Sequence, residues 1–295
     1  MRKLICALAL CLAAGCSKQE GNDAPAVPQA TPLPKLLVLA TIAPMYCFTK
    51  NVVGDLADVE MIVPAGTSGA TFQPSEDEVR RIMQADIVVE NGFGFEGWMD
   101  KLVARGLKPG AVRVIAARGT GPGIPGMPGD PTSPPADAPA DASGPPDPHV
   151  WLDPIMAIKE LQNIRDALMA YDPANANEYL ANENRYEASL RDLDDEVGRT
   201  TVDIKKRRLE CEDGTFSYFL KRYEFTAVPN GNDATQGPRM ADAVLVTTST
   251  ARAILNETDL PVVRADPMES GSASTEFYEQ ATLANARALR EGLLR

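Results

Sequence analysis

The chain has 295 residues, with 29 basic side chains against 41 acidic ones and a single histidine, for a formal charge of −12 at neutral pH. Such a surplus of carboxylates excludes nucleic acid as a natural partner and is compatible with a cationic ligand. One histidine, and no Ser-His-Asp, P-loop or HExxH pattern, indicates a protein that is not an enzyme.

Arg2 and Lys3 precede an apolar run, Leu4 to Ala14, that is too short to span a bilayer and closes on small residues. Residues 1–15 therefore read as a secretory signal peptide. Leu12-Ala13-Ala14-Gly15-Cys16 resembles a bacterial lipobox, which implies cleavage before Cys16 and a lipid on its sulfur, although Ala13 stands where that pattern prefers Leu. Residues 16–34, rich in Pro, Ala and polar side chains, cannot bury a core and serve as a lipidated tether. The protein is expected to be exported and lipid-anchored to the cell envelope. Loss of Arg2 and Lys3 takes its charge from −12 to −14. Beyond Cys16 only Cys47 and Cys211 remain. Two cysteines so far apart give no disulfide framework, and two buried thiols are expected.

From residue 35 onward, strand-length apolar runs alternate with helical patterns. Lys35 to Thr41 predicts a strand, Met45 to Val53 a helix and Val59 to Val63 a second strand. Ser75 to Met83 predicts a helix with Ser75 as N-cap and Glu78 completing a capping box. Ala85 to Glu90 reads as a buried strand, Phe95 to Ala104 as a helix and Ala111 to Ala116 as another strand. Such βαβ alternation implies a parallel sheet with ligands at the carboxyl ends of its strands. Residues 118–148, with ten prolines and six glycines, interrupt the pattern as a surface insertion with no core to join.

Helices follow at Ile155 to Met169 and from Ala174 to about Val202, the second long enough to cross a whole domain. Strands are then predicted at Arg208 to Cys211, Phe225 to Val228, Ala243 to Thr247 and Pro261 to Ala265. Helices are predicted at Thr215 to Arg222, Ser249 to Asn256 and Thr275 to Leu294. The expected fold class is α/β: two α/β lobes with parallel-rich sheets joined by a long backbone helix. The lobes occupy 35–170 and 204–295, the helix 171–203, and any site lies between the lobes.

Two motifs suggest chemistry. Gly92-Phe93-Gly94-Phe95-Glu96-Gly97 matches G-x-G-x-x-G after a strand and before a helix. No acidic residue closes the strand about 20 residues on, and Phe93 and Phe95 would crowd a pyrophosphate, so a dinucleotide site is not expected. The second motif, Asp147-Pro148-His149-Val150-Trp151-Leu152-Asp153-Pro154, holds the only histidine. On residue type alone a lone His is more often structural than a ligand. Here it is held stiffly between prolines and beside an aromatic, as a metal or anion ligand would be.

Several blocks carry a wider resemblance. They are Ile62-Val63-Pro64-Ala65-Gly66 with Thr71-Phe72-Gln73-Pro74, Ala85 to Gly92 with Glu96-Gly97-Trp98, the His149 block, Tyr179 to Tyr186, Phe216-Ser217-Tyr218-Phe219 with Arg222-Tyr223, and Asp266-Pro267. From about residue 35 to the C-terminus the sequence resembles the solute-binding proteins of bacterial zinc and manganese ABC transporters. The resemblance implies a rigid pair of lobes with a divalent cation, Zn2+ or Mn2+, in the cleft and no organic cofactor. It also implies an ABC permease as partner of a monomeric, lipid-anchored binding protein. The family's ligands are three His, or two His and a Glu, plus an Asp. Carried over singly, the first falls on Ala70, which cannot bind metal, the second on His149, the third on Asp213 and the fourth on Asp266. Glu212 and Gln73 lie beside Asp213 and Ala70. The segment between Tyr223 and Ala243 is shorter than the family's, leaving little more than Gly237 to Asp242 for one helix. Because one ligand is missing, the alternative is a degenerate, non-transporting surface lipoprotein of the same fold with a scaffolding or adhesive role.

Overall fold

The structure is a computed structural model describing residues 35–120, 147–211, 213–228, 241–247 and 259–294. The signal peptide, Cys16 and its tether, most of the Pro-rich insertion, Glu212, most of Gly237 to Asp242 and the helix expected at Ser249 to Asn256 lie outside the described residues. Residues 35–295 form one compact unit.

Its first half runs β1 (Leu36–Ala40), α1 (Ala43–Val53), β2 (Ala57–Met61), α2 (Glu76–Gln84), β3 (Ile87–Glu90), α3 (Met99–Val103) and β4 (Val112–Ile115). The four strands form one parallel sheet in the order β2-β1-β3-β4, with Val38 opposite Ile87 and Ile87 opposite Val112. Its central strands are continuous apolar runs because both faces are covered: Val38, Leu39, Ala40, Ile87, Val88 and Val89 are fully buried.

After α4 (Pro154–Tyr171) and α5 (Ala176–Thr201), the second half adds β5 (Arg208–Cys211), α6 (Ser217–Arg222), β6 (Thr226–Val228), β7 (Ala243–Thr247), β8 (Val262–Ala265) and α7 (Phe277–Leu293). These strands form a second parallel sheet, β6-β5-β7-β8, which repeats the strand order of the first. α5 spans 26 residues, about 39 Å at 1.5 Å per residue, and buries Tyr179, Glu183, Tyr186, Leu190, Leu193, Val197 and Thr201 along one stripe. It packs against α4, α1 and α7, so a single apolar core runs through both halves.

Helix starts follow local chemistry. Ser75 Oγ accepts the Glu78 amide while the Glu78 carboxylate accepts the Ser75 amide, which is the predicted capping box. Asp153 caps α4 by accepting the Ile155 amide at 2.8 Å, and Pro154 takes the first helical position. Three expectations need correction. β2 begins and ends two residues early because it is in register with β1, Leu36 facing Ala57, although Ile62 and Val63 still donate to Ala40 and Thr41. The helix expected from Phe95 starts only at Met99, because residues 93–98 are held in turns by the side chain of Glu96. Cys47 and Cys211 are free thiols as expected, but only Cys47 is buried; Cys211 is half-buried.

In both sheets the chain builds outward to one side and then returns to the other, which opens a crevice beyond the carboxyl ends of the central strands. Trp151 locks the two halves across it. Its indole is fully buried and donates to the Pro267 carbonyl at 2.9 Å, and its own carbonyl accepts the hydroxyl of buried Tyr278 at 2.6 Å. Tyr278→Phe strands that carbonyl in a buried position, and a loss of about 1–3 kcal/mol is expected from urea unfolding. An unchanged unfolding midpoint would mean that the tie carries no weight.

Candidate metal centre

Loops from both sheets converge on a cavity of about 510 Å³ lined, among others, by Ala70, Phe95, Asp147, His149, Asp213 and Glu269. Ala70 lies in the loop after β2 and Phe95 in the turn after β3, while Asp147 and His149 follow β4 and lead into α4. Asp213 follows β5 and Glu269 follows β8. The site is therefore a product of topology, since only the carboxyl-end loops reach it.

The turn after β3 carries the glycine-rich motif. Gly92, Phe93 and Gly94 all have positive φ, 95°, 52° and 79°. A Cβ on Gly92 would lie 2.4 Å from the side chain of Ile115, so only glycine fits there. The carboxylate of Glu96, wholly buried, accepts the amides of Asn91 and Gly92 at 2.9 and 3.0 Å and the hydroxyl of Thr41 at 2.6 Å. Burial pushes its pKa above the usual carboxylate range, against these three hydrogen bonds. The amides of Asn91 and Gly92 are thus already occupied from within the turn. Instead the turn presents Phe95, which packs edge-on to His149 and Trp151 at 5.8 and 5.1 Å between ring centroids.

His149 is oriented from both sides. Its backbone amide and Nδ1 both reach Asp147 Oδ1, at 3.0 and 2.6 Å, while Nε2 faces Glu269 Oε1 at 3.1 Å. Asp147 is held in turn by the hydroxyl of Ser217, and its carbonyl accepts the hydroxyl of Tyr218. Ser68 donates to the second oxygen of Glu269 at 2.6 Å, and the Gly66 amide donates to Ser270 at 2.8 Å. A carboxylate on Nδ1 fixes the imidazole so that Nε2 is the atom offered to the cavity, the arrangement a metal-ligating histidine requires.

Burial alone would lower the His149 pKa, but the hydrogen bonds to Asp147 and Glu269 outweigh it and raise the value to about 9. The same imidazolium holds Asp147 and Glu269 below the usual carboxylate range despite their own burial. Among the described residues no group of three or more His, Cys, Asp and Glu side chains stands ready to hold a metal ion. Nε2 and Glu269 face each other directly, with the raised pKa of the ring favouring its protonated form.

The residues singled out in the sequence fare differently. His149 and Asp213 line the cavity, Asp213 at its exposed edge with Oδ1 accepting the Thr215 amide at 3.0 Å. Ala70 lines it too, with no donor to offer. Asp266 does not line it; its Oδ1 accepts the Met268 amide at 2.8 Å and its backbone is tied to Asn285. Met268 takes a left-handed conformation, φ 64°, which carries the chain round so that Glu269 faces His149. Glu269 escaped the sequence reading, and Asp147, although it opens the histidine motif, was given no role toward the imidazole. Their signals were a second acid three residues after Asp266 and an acid two residues before the histidine.

Residues 38–244 match the family described as ZnuA, zinc-uptake complex component A, periplasmic. The high-affinity zinc uptake system protein ZnuA of Bacillus subtilis is 32% identical over 197 residues, 66% of this chain and 60% of that protein. The zinc-binding lipoprotein AdcA of Streptococcus pneumoniae is 32% identical over 220 residues, 74% of this chain and 41% of that protein. The chain thus aligns with three fifths or less of the length of these relatives. Among solved structures, the metal-dependent lipoprotein YcdH from Bacillus subtilis superposes with a TM-score of 0.68 at 26% identity, covering 88% of this chain and all of that one. These likenesses bear out the predicted fold class of α/β lobes joined by a long helix.

With the folded pKa of His149 raised to about 9 from an ordinary 6.5, the stability its bonds contribute is complete below pH 6.5 and is lost as pH rises through 9. On the acid side the same bonds are lost when Asp147 and Glu269 take up protons. Urea unfolding in the presence of a chelator should therefore show wild type losing about 1–3 kcal/mol relative to His149→Gln between pH 6.5 and 9.5. Parallel pH profiles for the two proteins would refute the ion-pair arrangement.

Proposed function

The chain belongs to the ZnuA family of periplasmic zinc-uptake components, and on that premise we propose that it captures a divalent cation, zinc or manganese, for delivery to an ABC permease. The family consists of binding components of uptake systems rather than enzymes. The observation that supports capture at this place is His149 Nε2 facing Glu269, with Asp213 lining the same cavity, so that donors from the two halves of the protein meet in one crevice. Binding replaces the Nε2 proton with the metal. His149, Glu269 and Asp213 then supply one nitrogen and two carboxylates, and Asp266 stands behind them, shaping the turn that presents Glu269. Zinc favours a tetrahedron rich in nitrogen or sulfur, whereas an oxygen-rich set with waters suits a harder ion such as manganese. The specific metal is therefore an outcome of titration.

The reading as a degenerate, non-transporting surface lipoprotein draws on Ala70, which supplies no donor where the family places one. Metal content of the purified protein and calorimetric titration with zinc and manganese separate the two. The transport reading expects one cation per chain, release of about one proton per cation near pH 7.5, and no binding by His149→Ala, because a metal must displace the imidazole proton. A wild type that takes up neither metal would leave the scaffold reading in its place.

The lipid anchor is the second part of the proposal. It is supported by Gly15-Cys16 after the apolar leader. Among the described residues no helix is long and apolar enough to cross a membrane. Stable attachment then depends on the acyl chains, so Cys16→Ser should move the protein from the membrane fraction to the soluble fraction. Continued sedimentation of the variant with membranes would remove the anchor from the proposal.

A further inference from the structure

We propose that the cation enters as a chelate with a small aromatic anion, and that a groove beside Ala70 holds the body of that chelator. This rests on the reading of His149 and Glu269 as a metal centre and goes beyond it in naming what accompanies the metal.

The metal-centre cavity and a second one, of about 740 Å³, have Ala70 as a common lining residue. A volume of that order suits a small organic ligand. The groove has an aromatic wall made of Phe72 and Trp98, whose rings lie edge to face at 5.2 Å. Trp98 Nε1 donates to the Gly69 carbonyl at 2.8 Å, which fixes the indole against the loop that carries Ala70. Planar rings find matching faces and edges on such a wall.

Its charge is opposite to that of the rest of the protein. Lys101 and Arg105 line the groove, both exposed, and among the described residues neither enters an ion pair. Glu76 is the one acidic residue among those lining it. A local excess of positive charge on a chain of net −12, directly beside a cavity lined by Asp147, Asp213 and Glu269, separates two binding environments. One suits a cation and the other the anionic tail of its chelator.

The third element is the missing donor. One donor each from His149, Glu269 and Asp213 leaves one position of a four-coordinate ion, or two of a five-coordinate ion, unfilled, and Ala70, which lines both cavities, offers no donor. A nitrogen–oxygen chelator lying over Ala70 supplies the absent donors from the ligand side. Its flat body then rests on Phe72 and Trp98, and its distal anion reaches Lys101 and Arg105.

A suitable probe is 8-hydroxyquinoline-5-sulfonate, which has a chelating nitrogen and oxygen at one end, a flat ring system and a sulfonate at the other end. Calorimetry would compare zinc alone, the probe alone and a preformed equimolar zinc–probe complex, with co-elution of quinoline absorbance and protein on a sizing column as a second readout. The expected result is that the complex binds at least about tenfold more tightly than zinc alone and co-elutes intact. The double variant Lys101→Glu, Arg105→Glu should lose that advantage and leave the affinity for zinc alone unchanged. Ala70→His should tighten binding of zinc alone and erase the preference for the complex. If zinc alone binds but the complex has no advantage, or keeps its advantage after charge reversal, the chelate inference falls and the metal centre stands. Transfer of zinc to the protein with the probe left behind has the same meaning, and so does equal binding of the probe without metal. Failure of zinc to bind in either form would overturn both readings.

Discussion

The site depends on the seating of Trp151. Its indole is shut away from solvent, with its N–H on the Pro267 carbonyl and its own carbonyl under the Tyr278 hydroxyl. That pair of bonds ties the turn bearing His149 to the loop after β8 and to α7, elements of the second sheet's half of the molecule. Two residues before Trp151 stands the imidazole, and two residues after Pro267 stands the carboxylate it meets. The 3.1 Å separation between Nε2 and Glu269 is therefore set by a buried anchor rather than by the mobility of either side chain. The continuous core, with α5 packed along α1, α4 and α7, leaves the two halves little room to move apart.

Electrostatics then decide what the cavity holds. Asp147 and Glu269 flank one imidazole in a partly buried space, with Asp213 at its exposed edge, and the two flanking carboxylates raise the pKa of His149 to about 9. On the proposed reading, a proton and a metal would compete for Nε2, and the affinity for a cation would be what is left after that proton has been removed. The protein bears a comparable strain elsewhere. Glu160 is fully buried with no hydrogen-bond partner on either oxygen among the described residues, and burial raises its pKa well above the usual range. The protein's core includes the apolar central strands of the first sheet and the apolar β7 of the second.

The glycine-rich turn shows how one pattern can serve two purposes. Gly92 and Gly94 are there for conformational reasons that any tight turn after a strand would impose, and a phosphate loop shares them. Glu96 distinguishes the two uses by filling the amides from its own side chain and leaving Phe95 as a wall for His149.

Local rules were enough for most of the fold. Alternating apolar runs and helical stripes placed the strands of both sheets, the capping box at Ser75 and the long α5, because each of these is decided by neighbours within a few residues in sequence. Where strand ends missed, as at β2, the register with β1 across the sheet set the limit, and that is a contact between distant segments. The lone histidine stood out by composition, and its neighbours Pro148 and Trp151 marked it as held. Its partners were not legible for the same reason that β2 was shifted. Asp266 and Glu269 are both acids in one loop, and only the left-handed turn at Met268, with Asp266 spent on the Met268 amide, determines which of them turns toward His149. Residue types and the order of elements thus belong to the sequence. The pairing of one acid with one imidazole 120 positions away was decided by tertiary structure, because it depends on how two sheets and a buried tryptophan bring their loops together.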